Sequence, residues 1–417
     1  MITYLYTYCP PHFSKTKVYS AKREILFKKS ITMNHSAIRK IRKYLQKVIF
    51  KNSTLIQPIS DSDLTKYSID TEEQKKRIKF HLKKVGKQIS PNKKPRIYIA
   101  VHHVNWELDN LVKPWTDLGD VEHYDWGEAY DQFDPRWSEK KRIFCNDLME
   151  KVRSSHKREP IDIFFSYLSG NWIYPDLIKE INKLGIITIN FSFDDKLKFW
   201  GIQTEHGLTG NAEIAPEYDI CITCQSSDDV AKYVYVGGNP LFFPPAANPN
   251  TINSNIPLKD IGISFIGKKY GVRTRVIETL LKQRIPISVY GSGWPSGEIS
   301  SKEKQDVLSR SLINLGFGYI DDSDNKVGLK ERDFEVPLTG GLYLTTYNPD
   351  LEQCYALGNE IECYKDFPDL VKKIKYYLGH PEEAKRKGLA GRNRVLNDHT
   401  WKKRFGMVIE MLYKDSI

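Results

Sequence analysis

One short segment, RDFEVPLTGGLYLTT at residues 332–346, has the residue types of a nucleotide-sugar site. A short helix is expected from its first residues. Gly340 and Gly341 end that helix and let another backbone approach closely before an apolar strand begins. Glu335 then lies near the helix N-terminus, where its two carboxylate oxygens can accept hydrogen bonds from both hydroxyls of a ribose. The alternative is an ordinary connection in which Glu335 only complements the helix dipole.

Basic residues on either side of this segment are candidate ligands of a diphosphate. When a sugar leaves its nucleotide, negative charge develops on the diphosphate, and cationic side chains and helix-end amides stabilise it. Arg273 and then Arg332 are the first candidates, and Lys268, Lys330 and Arg275 are further ones. For each of them, a solvated surface charge is the competing interpretation.

Polar residues also follow the apolar strand patterns of the first half of the chain. Asp194 and Asp195 come directly after ITINFSF, and His102 and His103 end RIYIAVHH. We predict that one aspartate orients or deprotonates an acceptor hydroxyl and that His102 contacts a substrate. The candidate catalytic residues are therefore Asp194, Asp195 and His102. A turn role for the aspartates and a loop role for the histidines are the alternatives.

A glycine-rich loop, GSGWPSG at residues 291–297, follows another strand pattern. It lacks the G-x-G-x-x-G spacing of dinucleotide enzymes. We interpret it as a close-packed connection between a strand and a helix that places Trp294 against the nucleotide base. Gly267, at the end of the pattern ISFIG, is expected to line the donor side of the same site.

The signals for a metal site are weak. Residues 61–63 and 322–324 each spell Asp-Ser-Asp, but neither triplet ends an apolar strand of the first domain, as a Mn²⁺ or Mg²⁺ site would require. Cys221 and Cys224 form a C-x-x-C inside the strand pattern DICITC, where an offset of three directs the two side chains to opposite faces. We therefore predict no metal ligand and no cofactor apart from the nucleotide-sugar substrate.

Several motifs together resemble the CgeB/YkvP-type spore-maturation glycosyltransferases, relatives of the retaining nucleotide-sugar transferases. The motifs are FIGKKYGVRTR (265–275), ISVYGSGW (287–294), RDFEVPLTGG (332–341), the stretch 348–378 and HTWKKRF (399–405). The resemblance covers roughly residues 96–410. It implies the α/β GT-B fold, in which two Rossmann-like, doubly wound domains face each other across a cleft, and it places a basic residue such as Arg273 near the donor phosphates.

The chain departs from this resemblance at one position. The relatives carry two glutamates separated by seven residues. The second, a ribose ligand, is kept as Glu335, whereas the first position is Val327 in this chain. Asp322, Asp324 or Glu331 is the candidate replacement for the missing acid, which contacts the sugar in the relatives. The donor sugar is therefore open, and retention of configuration is implied by the resemblance alone.

Strand and helix patterns alternate in both halves of the chain, as parallel α/β layers require. The predicted strands are at 96–103, 121–125, 161–168, 187–193, 219–224, 262–267, 287–291, 312–318 and 341–346. The predicted parts of the chain are a basic helical extension (1–95), an acceptor-side domain (96–250), a nucleotide-sugar domain (258–398) and a cross-over helix (399–417). The Pro- and Asn-rich stretch 244–257 is the expected hinge, and loops at strand ends should line the cleft.

Positive charge is concentrated at the beginning of the chain. Residues 1–95 carry a net charge of +16, and the remainder carries −5. Within the extension, SAIRKIRKYLQKVIFK at 36–51 combines an apolar stripe with flanking basic residues, which is typical of a helix on an anionic membrane surface. The alternative is a helix packed on the rest of the protein. Nucleic acid is not an expected partner, because no recognition motif accompanies the charge.

Together these features predict a metal-independent, retaining glycosyltransferase that moves a sugar from a nucleoside-diphosphate sugar to an acceptor in surface polysaccharide or glycoconjugate assembly. The acceptor classes are a glycan, a lipid-linked molecule or a protein. No apolar run reaches the ~18–20 residues of a membrane span, and no signal peptide is recognisable. We expect a cytoplasmic protein, with the inner face of the plasma membrane as a peripheral site. The alternative function is a non-catalytic relative that binds a nucleotide sugar or a glycan in a surface or spore layer.

Overall fold

The structure is a computed structural model that describes residues 57–127, 129–252, 256–320 and 326–414. Two parallel β-sheets form the centres of two α/β domains. The helix predicted at 36–51 and the acidic triplet at 322–324 lie outside the described residues.

The first domain is built on six parallel strands and a short hairpin. Its strands are β1 (Arg96–Ala100), β2 (Asp120–Tyr124), β3 (Ile163–Ser166), β4 (Ile187–Ser192), the hairpin strands β5 (Gln203–Thr204) and β6 (Gly207–Leu208), β7 (Ile220–Thr223) and β8 (Pro240–Phe242). Its helices are α1 (Asp61–Leu64), α2 (Thr71–Val85), α3 (Lys113–Thr116), α4 (Trp137–Arg158), α5 (Pro175–Asn182), α6 (Asp195–Lys198) and α7 (Val230–Tyr235). The sheet order is β2-β1-β3-β4-β7-β8. Strands β1, β3, β4 and β7 are buried throughout, which is why their sequences are nearly continuous apolar runs.

The second domain repeats this plan with five parallel strands. Its strands are β9 (Ile261–Ile266), β10 (Ile287–Tyr290), β11 (Ser311–Leu315), β12 (Leu342–Thr346) and β13 (Glu362–Tyr364). Its helices are α8 (Gly271–Lys282), α9 (Ser301–Arg310), α10 (Arg332–Leu338), α11 (Pro349–Glu352), α12 (Phe367–Gly379) and α13 (Pro381–Asp398), and α14 (Trp401–Leu412) follows them. The sheet order is β10-β9-β11-β12-β13.

In both sheets the strand order reverses beside the first strand, between β1 and β3 in the first domain and between β9 and β11 in the second. In doubly wound domains, ligands bind outside the C-terminal ends of the strands at such a reversal. Every predicted strand is present to within a few residues. The predicted class, two doubly wound α/β domains, is confirmed.

The first domain begins earlier than the predicted boundary at residue 96. Helix α2 starts where the Asp70 side chain accepts the Glu73 backbone N–H, and its apolar residues are part of the domain core. Lys87, just after the helix, donates to buried Asp219 at 2.8 Å, and His81 also contacts that carboxylate. The packing of α2 on the first domain was not apparent from the sequence, because basic residues dominate the outer face of this helix.

The last helix, α14, returns to the first domain. Its apolar residues pack in the same core as β1, β3 and β4. The returning chain also pairs with the outgoing one, because the Ala247 N–H donates to the His399 carbonyl at 3.0 Å and the Trp401 N–H donates to the Ala247 carbonyl at 3.2 Å. The two connections between the domains therefore run side by side. Hinge motion at 244–257 stays a prediction.

The C-x-x-C pair lies within and directly after β7. Cys221 packs in the core on one side of the sheet, and Cys224 packs in the core on the other. The prediction that the two side chains point to opposite faces is confirmed.

Close backbone packing at the end of α10 depends on glycine. Gly340 adopts a left-handed conformation (φ 79°) and ends the helix. Gly388 of α13 lies against it, so a Cβ atom at Gly388 would come within 2.7 Å of the Gly340 carbonyl oxygen and of the Gly341 carbonyl carbon. The backbone expected to approach the Gly340-Gly341 pair closely is therefore that of α13.

We expect Gly388→Ala to lower the free energy of unfolding by about 1–3 kcal/mol, because the atoms that a Cβ would meet belong to the backbone and cannot rotate away. Gly406→Ala in α14 is the matched control. A Cβ there meets nothing within 4 Å, so this change should stabilise the helix by roughly 0.5–1 kcal/mol. Urea unfolding of both variants measures the difference, and equal effects would contradict the packing argument.

Candidate functional site

A cavity of about 340 Å³ lies between the two domains. The residues that line it are Trp106, Tyr167, Phe193 and Asp194 from the first domain, and Lys304, Lys330, Glu331, Arg332 and Glu335 from the second. A larger cavity of about 510 Å³ lies between α4 and α5 on the first domain alone. Four of its charged residues form two ion pairs, Arg142 with Asp176 at 2.5 Å and Arg153 with Glu180 at 3.2 Å. We therefore place the candidate site in the interdomain cavity.

Glu335 occupies the first turn of α10, as the sequence predicts. Its two carboxylate oxygens accept hydrogen bonds from Lys304 Nζ at 2.6 and 2.8 Å. The Glu335 side chain is 19% exposed and reaches the cavity. Each carboxylate oxygen has a further lone pair, so this group can also accept hydrogen bonds from the two hydroxyls of a ribose.

Three cationic side chains, Lys330, Arg332 and Arg273, lie close enough to affect each other's charge. Lys330 and Arg332 line the cavity with Glu335, whereas Arg273 is not among the lining residues. Among the described residues, none of the three has a carboxylate oxygen within 4.0 Å. Arg332 donates to the Ile266 carbonyl at 3.1 Å, which holds its guanidinium at the end of β9. Burial and the nearby Arg332 lower the pKa of Arg273 to about 10, and burial lowers the pKa of Lys330. Repulsion within this cluster would be relieved by a bound anion.

Buried Asp333 fixes the start of α10. Its carboxylate accepts hydrogen bonds from the Lys330 backbone N–H at 2.7 Å and from the Tyr343 hydroxyl at 2.6 Å. The Tyr355 hydroxyl donates to the Asp333 carbonyl at 2.7 Å. These bonds tie the first turn of α10 to the core of the domain, so the charged side chains of that turn are held at the cavity.

Glu331 precedes α10 and lines the cavity. Burial and the neighbouring Glu335 carboxylate raise the pKa of Glu331 to about 8, so its carboxyl group is largely protonated at neutral pH. A neutral carboxyl group can both donate a hydrogen bond to a sugar hydroxyl and accept one from it. Within the described part of the chain, Glu331 is the candidate replacement for the acid absent at Val327, and it lines the cavity. Asp322 and Asp324 lie outside the described residues.

The loop after β1 brings Trp106 to the cavity. Its shape depends on Glu107, whose Oε2 accepts hydrogen bonds from three consecutive backbone amides, those of residues 104–106, at 2.9–3.1 Å. Asp194 follows β4 on the same wall and is half exposed. Its Oδ2 pairs with Lys198 at 2.5 Å.

The structure corrects the predicted catalytic role of Asp195. This side chain is buried, and its carboxylate accepts hydrogen bonds at 2.7–2.9 Å from four groups inside the domain. The donors are Ser192 Oγ, Asn211 Nδ2, Thr223 Oγ1 and Tyr233 OH. A carboxylate enclosed in this way cannot meet an acceptor, so Asp195 holds β4 against β7 and α7.

His102 lies at the end of β1 but outside the cavity lining. Its Nδ1 is 2.7 Å from Asp125 Oδ1, and the Asp125 carboxylate also accepts the His103 and Gly127 backbone amides. Although burial acts in the opposite direction, these hydrogen bonds lower the pKa of Asp125. His102 therefore stabilises the loops beside the cleft, and its substrate contact stays a prediction.

The remaining donor-side candidates lie away from the cavity lining. Trp294 is buried and donates from Nε1 to the Gly267 carbonyl at 2.8 Å, which packs the glycine-rich loop against the end of β9. Lys268 is exposed, and Gly340 and Gly341 lie at the far end of α10. Donor contacts by these five residues stay predictions.

Lys304 is a candidate that sequence reasoning missed. Ser300 and Glu303 form a capping box at the start of α9, and this S-x-x-E pattern is visible in the sequence. The pattern would have placed Lys304 in the first turn of a helix. It would not have placed Lys304 beside Glu335, because that contact joins positions 31 residues apart.

Residues 273–410 match a protein-family model described as glycosyl transferase-like. The matched range contains the cationic cluster, Glu331 and Glu335, and it spans most of the second domain together with α14. No curated protein matches the chain.

Solved structures of GT-B glycosyltransferases share the architecture of this chain. A sucrose-phosphate synthase from Thermosynechococcus elongatus aligns with a TM-score of 0.52 and 11% identity over 76% of this chain and 99% of that chain. HepE of Anabaena in complex with UDP-glucose aligns with a TM-score of 0.49 and 8% identity over 76% of this chain and 100% of that chain. An alpha-glucosyltransferase in complex with UDP and a 13-mer DNA aligns with a TM-score of 0.49 and 12% identity over 77% of this chain and 100% of that chain. At 11% identity, the similarity to the sucrose-phosphate synthase concerns the fold, and with the two doubly wound domains of this chain it confirms the predicted GT-B fold.

We expect Glu331→Gln to change how stability depends on pH. The folded state holds the Glu331 proton up to a pH of about 8, whereas an unfolded glutamate loses it near pH 4.3, so the wild-type protein loses stability as the pH rises between these values. The glutamine variant cannot titrate. Relative to the wild type, it should therefore gain unfolding free energy as the pH rises from 4 to 9, by up to about 5 kcal/mol at about 1.4 kcal/mol per pKa unit.

Urea unfolding at pH 4, 6.5 and 9 measures this difference. Glu382→Gln removes a glutamate that is 83% exposed and serves as the matched control. Parallel pH curves for the wild type and Glu331→Gln would show that Glu331 is ionised in the folded protein.

Proposed function

We propose that the protein is a glycosyltransferase that uses a nucleoside-diphosphate sugar as its donor. The observation that carries this proposal is the start of α10, where Glu335, Lys330 and Arg332 line the interdomain cavity and Arg273 lies near Arg332. A carboxylate for a ribose diol and uncompensated cations for a diphosphate are the two features that a nucleoside diphosphate requires. The glycosyl transferase-like match over residues 273–410 supports the same assignment.

The proposed reaction joins an acceptor hydroxyl to C1 of the donor sugar. The hydroxyl oxygen forms the new bond to C1, the bond between C1 and the diphosphate oxygen breaks, and the diphosphate leaves with the bonding electrons. Arg273, Lys330 and Arg332 stabilise the charge on the leaving group. Asp194, the half-exposed carboxylate on the opposite wall, takes the hydroxyl proton.

Three protein cations can neutralise the leaving diphosphate, and we therefore propose that the reaction proceeds without a metal ion. Retention of configuration at C1 is proposed from the sequence resemblance, and proton NMR of the first product decides it. Glu331 is proposed to replace the acid absent at Val327. As a neutral carboxyl group at the cavity, it can hydrogen-bond a hydroxyl of the donor sugar.

The second candidate function is a non-catalytic relative that binds a nucleotide sugar or a glycan in a surface or spore layer. One observation favours it, since Val327 occupies the position of the acid in the relatives and forms a backbone bridge with Tyr319. Release of nucleoside diphosphate from the donor in the presence of an acceptor separates the two functions. Tight binding of the donor without release of nucleoside diphosphate would support the non-catalytic function.

We further propose that the acceptor belongs to a surface polysaccharide or glycoconjugate pathway and that the protein works at the cytoplasmic face of the membrane. The five cysteines within the described residues are free and buried, which suits a reducing compartment. Among the described helices, none is long and apolar enough to span a bilayer. We propose that attachment to a membrane uses a surface of the described domains.

One such surface is the outer face of α2. Phe80 is 72% exposed there, and exposed Lys76, Lys79, Lys83 and Lys84 lie within about one helical turn of it. None of these four lysines has an ion-pair partner among the described residues. An exposed aromatic ring among lysines is typical of docking on an anionic lipid surface. The residues before α1 are themselves basic, with Glu24 as their one acidic residue, and therefore do not complement this patch.

We expect Glu335→Ala to weaken nucleoside-diphosphate binding by roughly 1.5–3 kcal/mol through loss of the ribose contacts. Binding of UDP, GDP and ADP is measured by calorimetry, with and without EDTA, after a thermal-shift screen has identified the preferred base. Lys304→Met is the matched control, because it removes the same ion pair from its other side. If both variants lose stability equally and neither loses nucleotide affinity, Glu335 is only a partner of Lys304.

We expect Arg273→Ala to weaken binding of the nucleoside diphosphate by roughly 1.5–3 kcal/mol and to leave binding of the free nucleoside unchanged, because the cation contacts phosphate. The same calorimetry with the diphosphate and with the nucleoside measures both effects. Thermal stability should not fall, since a like-charge contact with Arg332 is removed. Equal losses for both ligands would contradict the phosphate role.

For the membrane surface, we expect Phe80→Ser to reduce binding to phosphatidylglycerol-containing vesicles about fivefold or more, and each of Lys76→Gln and Lys83→Gln to reduce it about fivefold, since each contact is worth about 1 kcal/mol. Vesicle flotation at low salt measures binding. Leu258→Ser, at another site that is 80% exposed, is the matched control. Undiminished flotation of Phe80→Ser, or binding to DNA in place of vesicles, would contradict the proposal.

A further inference from the structure

The first-domain wall of the interdomain cavity is aromatic. Tyr167 directly follows β3, Phe193 directly follows β4, and Trp106 is held in the loop after β1 by Glu107. These three strands are adjacent in the sheet. Each ring is partly exposed, although it packs at the edge of the core behind the sheet. Three partly exposed aromatic rings therefore face the cavity from the first domain.

The three rings form a corner. The Trp106 ring lies at 62° to the Tyr167 ring, with centroids 6.3 Å apart, and at 70° to the Phe193 ring, with centroids 5.7 Å apart. Trp401 packs behind Trp106 at 6.5 Å and 30°, which limits movement of the corner. Rings at such angles do not form the parallel slot in which a planar base is held between two faces.

Polar groups surround this apolar corner. Among the described residues, the Trp106 indole N–H and the Tyr167 hydroxyl make no hydrogen bond, and both residues line the cavity. Asp194 stands at the rim of the corner and has one carboxylate oxygen, Oδ1, beyond the one that pairs with Lys198. Apolar faces bordered by unused donors and an acceptor complement a molecule that has an apolar face and hydroxyl groups along its edge.

We infer that the acceptor is a carbohydrate, with the C–H face of one pyranose ring packed in the corner of Trp106, Tyr167 and Phe193. Its edge hydroxyls meet the Tyr167 hydroxyl, the Trp106 N–H and Asp194. The hydroxyl nearest Asp194 faces the donor side of the cavity. This inference rests on the proposed function and narrows it, because it selects a glycan among the glycan, lipid-linked and protein acceptors.

The probes are methyl glycosides and the disaccharides maltose, cellobiose and N,N′-diacetylchitobiose. They are tested with the donor that the nucleotide screen identifies. Saccharide binding is followed by the change in tryptophan fluorescence and by calorimetry, and transfer is followed by release of nucleoside diphosphate. We expect at least one saccharide to bind. Trp106→Ala and Phe193→Leu should each raise its dissociation constant about tenfold or more, as the loss of an aromatic contact does, with nucleotide affinity unchanged.

Tyr167→Phe is the second variant, because it removes one hydroxyl and keeps the ring. It should raise the dissociation constant about fivefold and leave the unfolding transition in place. Tyr376→Ala, which removes a half-exposed tyrosine on α12, is the matched control and should have no effect on saccharide binding.

Two outcomes overturn the inference: a saccharide whose binding is unchanged in Trp106→Ala and Tyr167→Phe, or transfer to a peptide or an oligonucleotide and to none of the saccharides. Failure of the proposed function is recognised separately. If no nucleotide binds but a saccharide binds in a manner that depends on Trp106, the carbohydrate site is supported and the transferase proposal fails.

Discussion

Trp401 joins the two domains at the point where the chain returns to the first one. Its buried ring packs on Phe405 at 5.7 Å and on Trp106, which lines the cavity, at 6.5 Å. Its backbone N–H and the His399 carbonyl bond to Ala247 in the outgoing connection. These contacts hold the returning chain against the cavity wall that Trp106 forms and beside the outgoing connection at Ala247.

The charges at the cavity are arranged in separate layers. The cationic cluster belongs to the second domain, the neutral acid Glu331 stands next to it, and the aromatic corner with Asp194 belongs to the first domain. Lys304 donates a hydrogen bond to each oxygen of Glu335 and so fixes the orientation of this carboxylate. A ribose would add hydrogen bonds to this carboxylate without displacing the ammonium group. The ion pair is therefore compatible with nucleotide binding and prepares Glu335 for it.

Much of the fold could be predicted from the sequence, because apolar runs of strand length alternate with helical patterns and parallel strands are buried on both faces. The edge strands β8 and β13 were not predicted, because a strand of three residues is too short to show an alternating pattern of apolar and polar residues. The site was less predictable. Asp194 and Asp195 are adjacent and chemically identical, and only Asn211, Thr223 and Tyr233, distant in sequence, determine that the second one turns inward. Lys304 was hidden for the same reason.

The fold alone does not decide between turnover and binding, but the energetics of Glu331 favour turnover. A carboxyl group with a pKa of about 8 at a cavity lowers the stability of the folded protein at neutral and alkaline pH, because the unfolded chain would ionise it freely. A binding protein could fill this position with glutamine and avoid that loss. A group that holds its proton near neutral pH beside the leaving diphosphate can instead bind the donor sugar and respond as charge develops. If Glu331 replaces the missing acid, as we propose, that acid lies four residues before Glu335 in place of eight, at the start of α10.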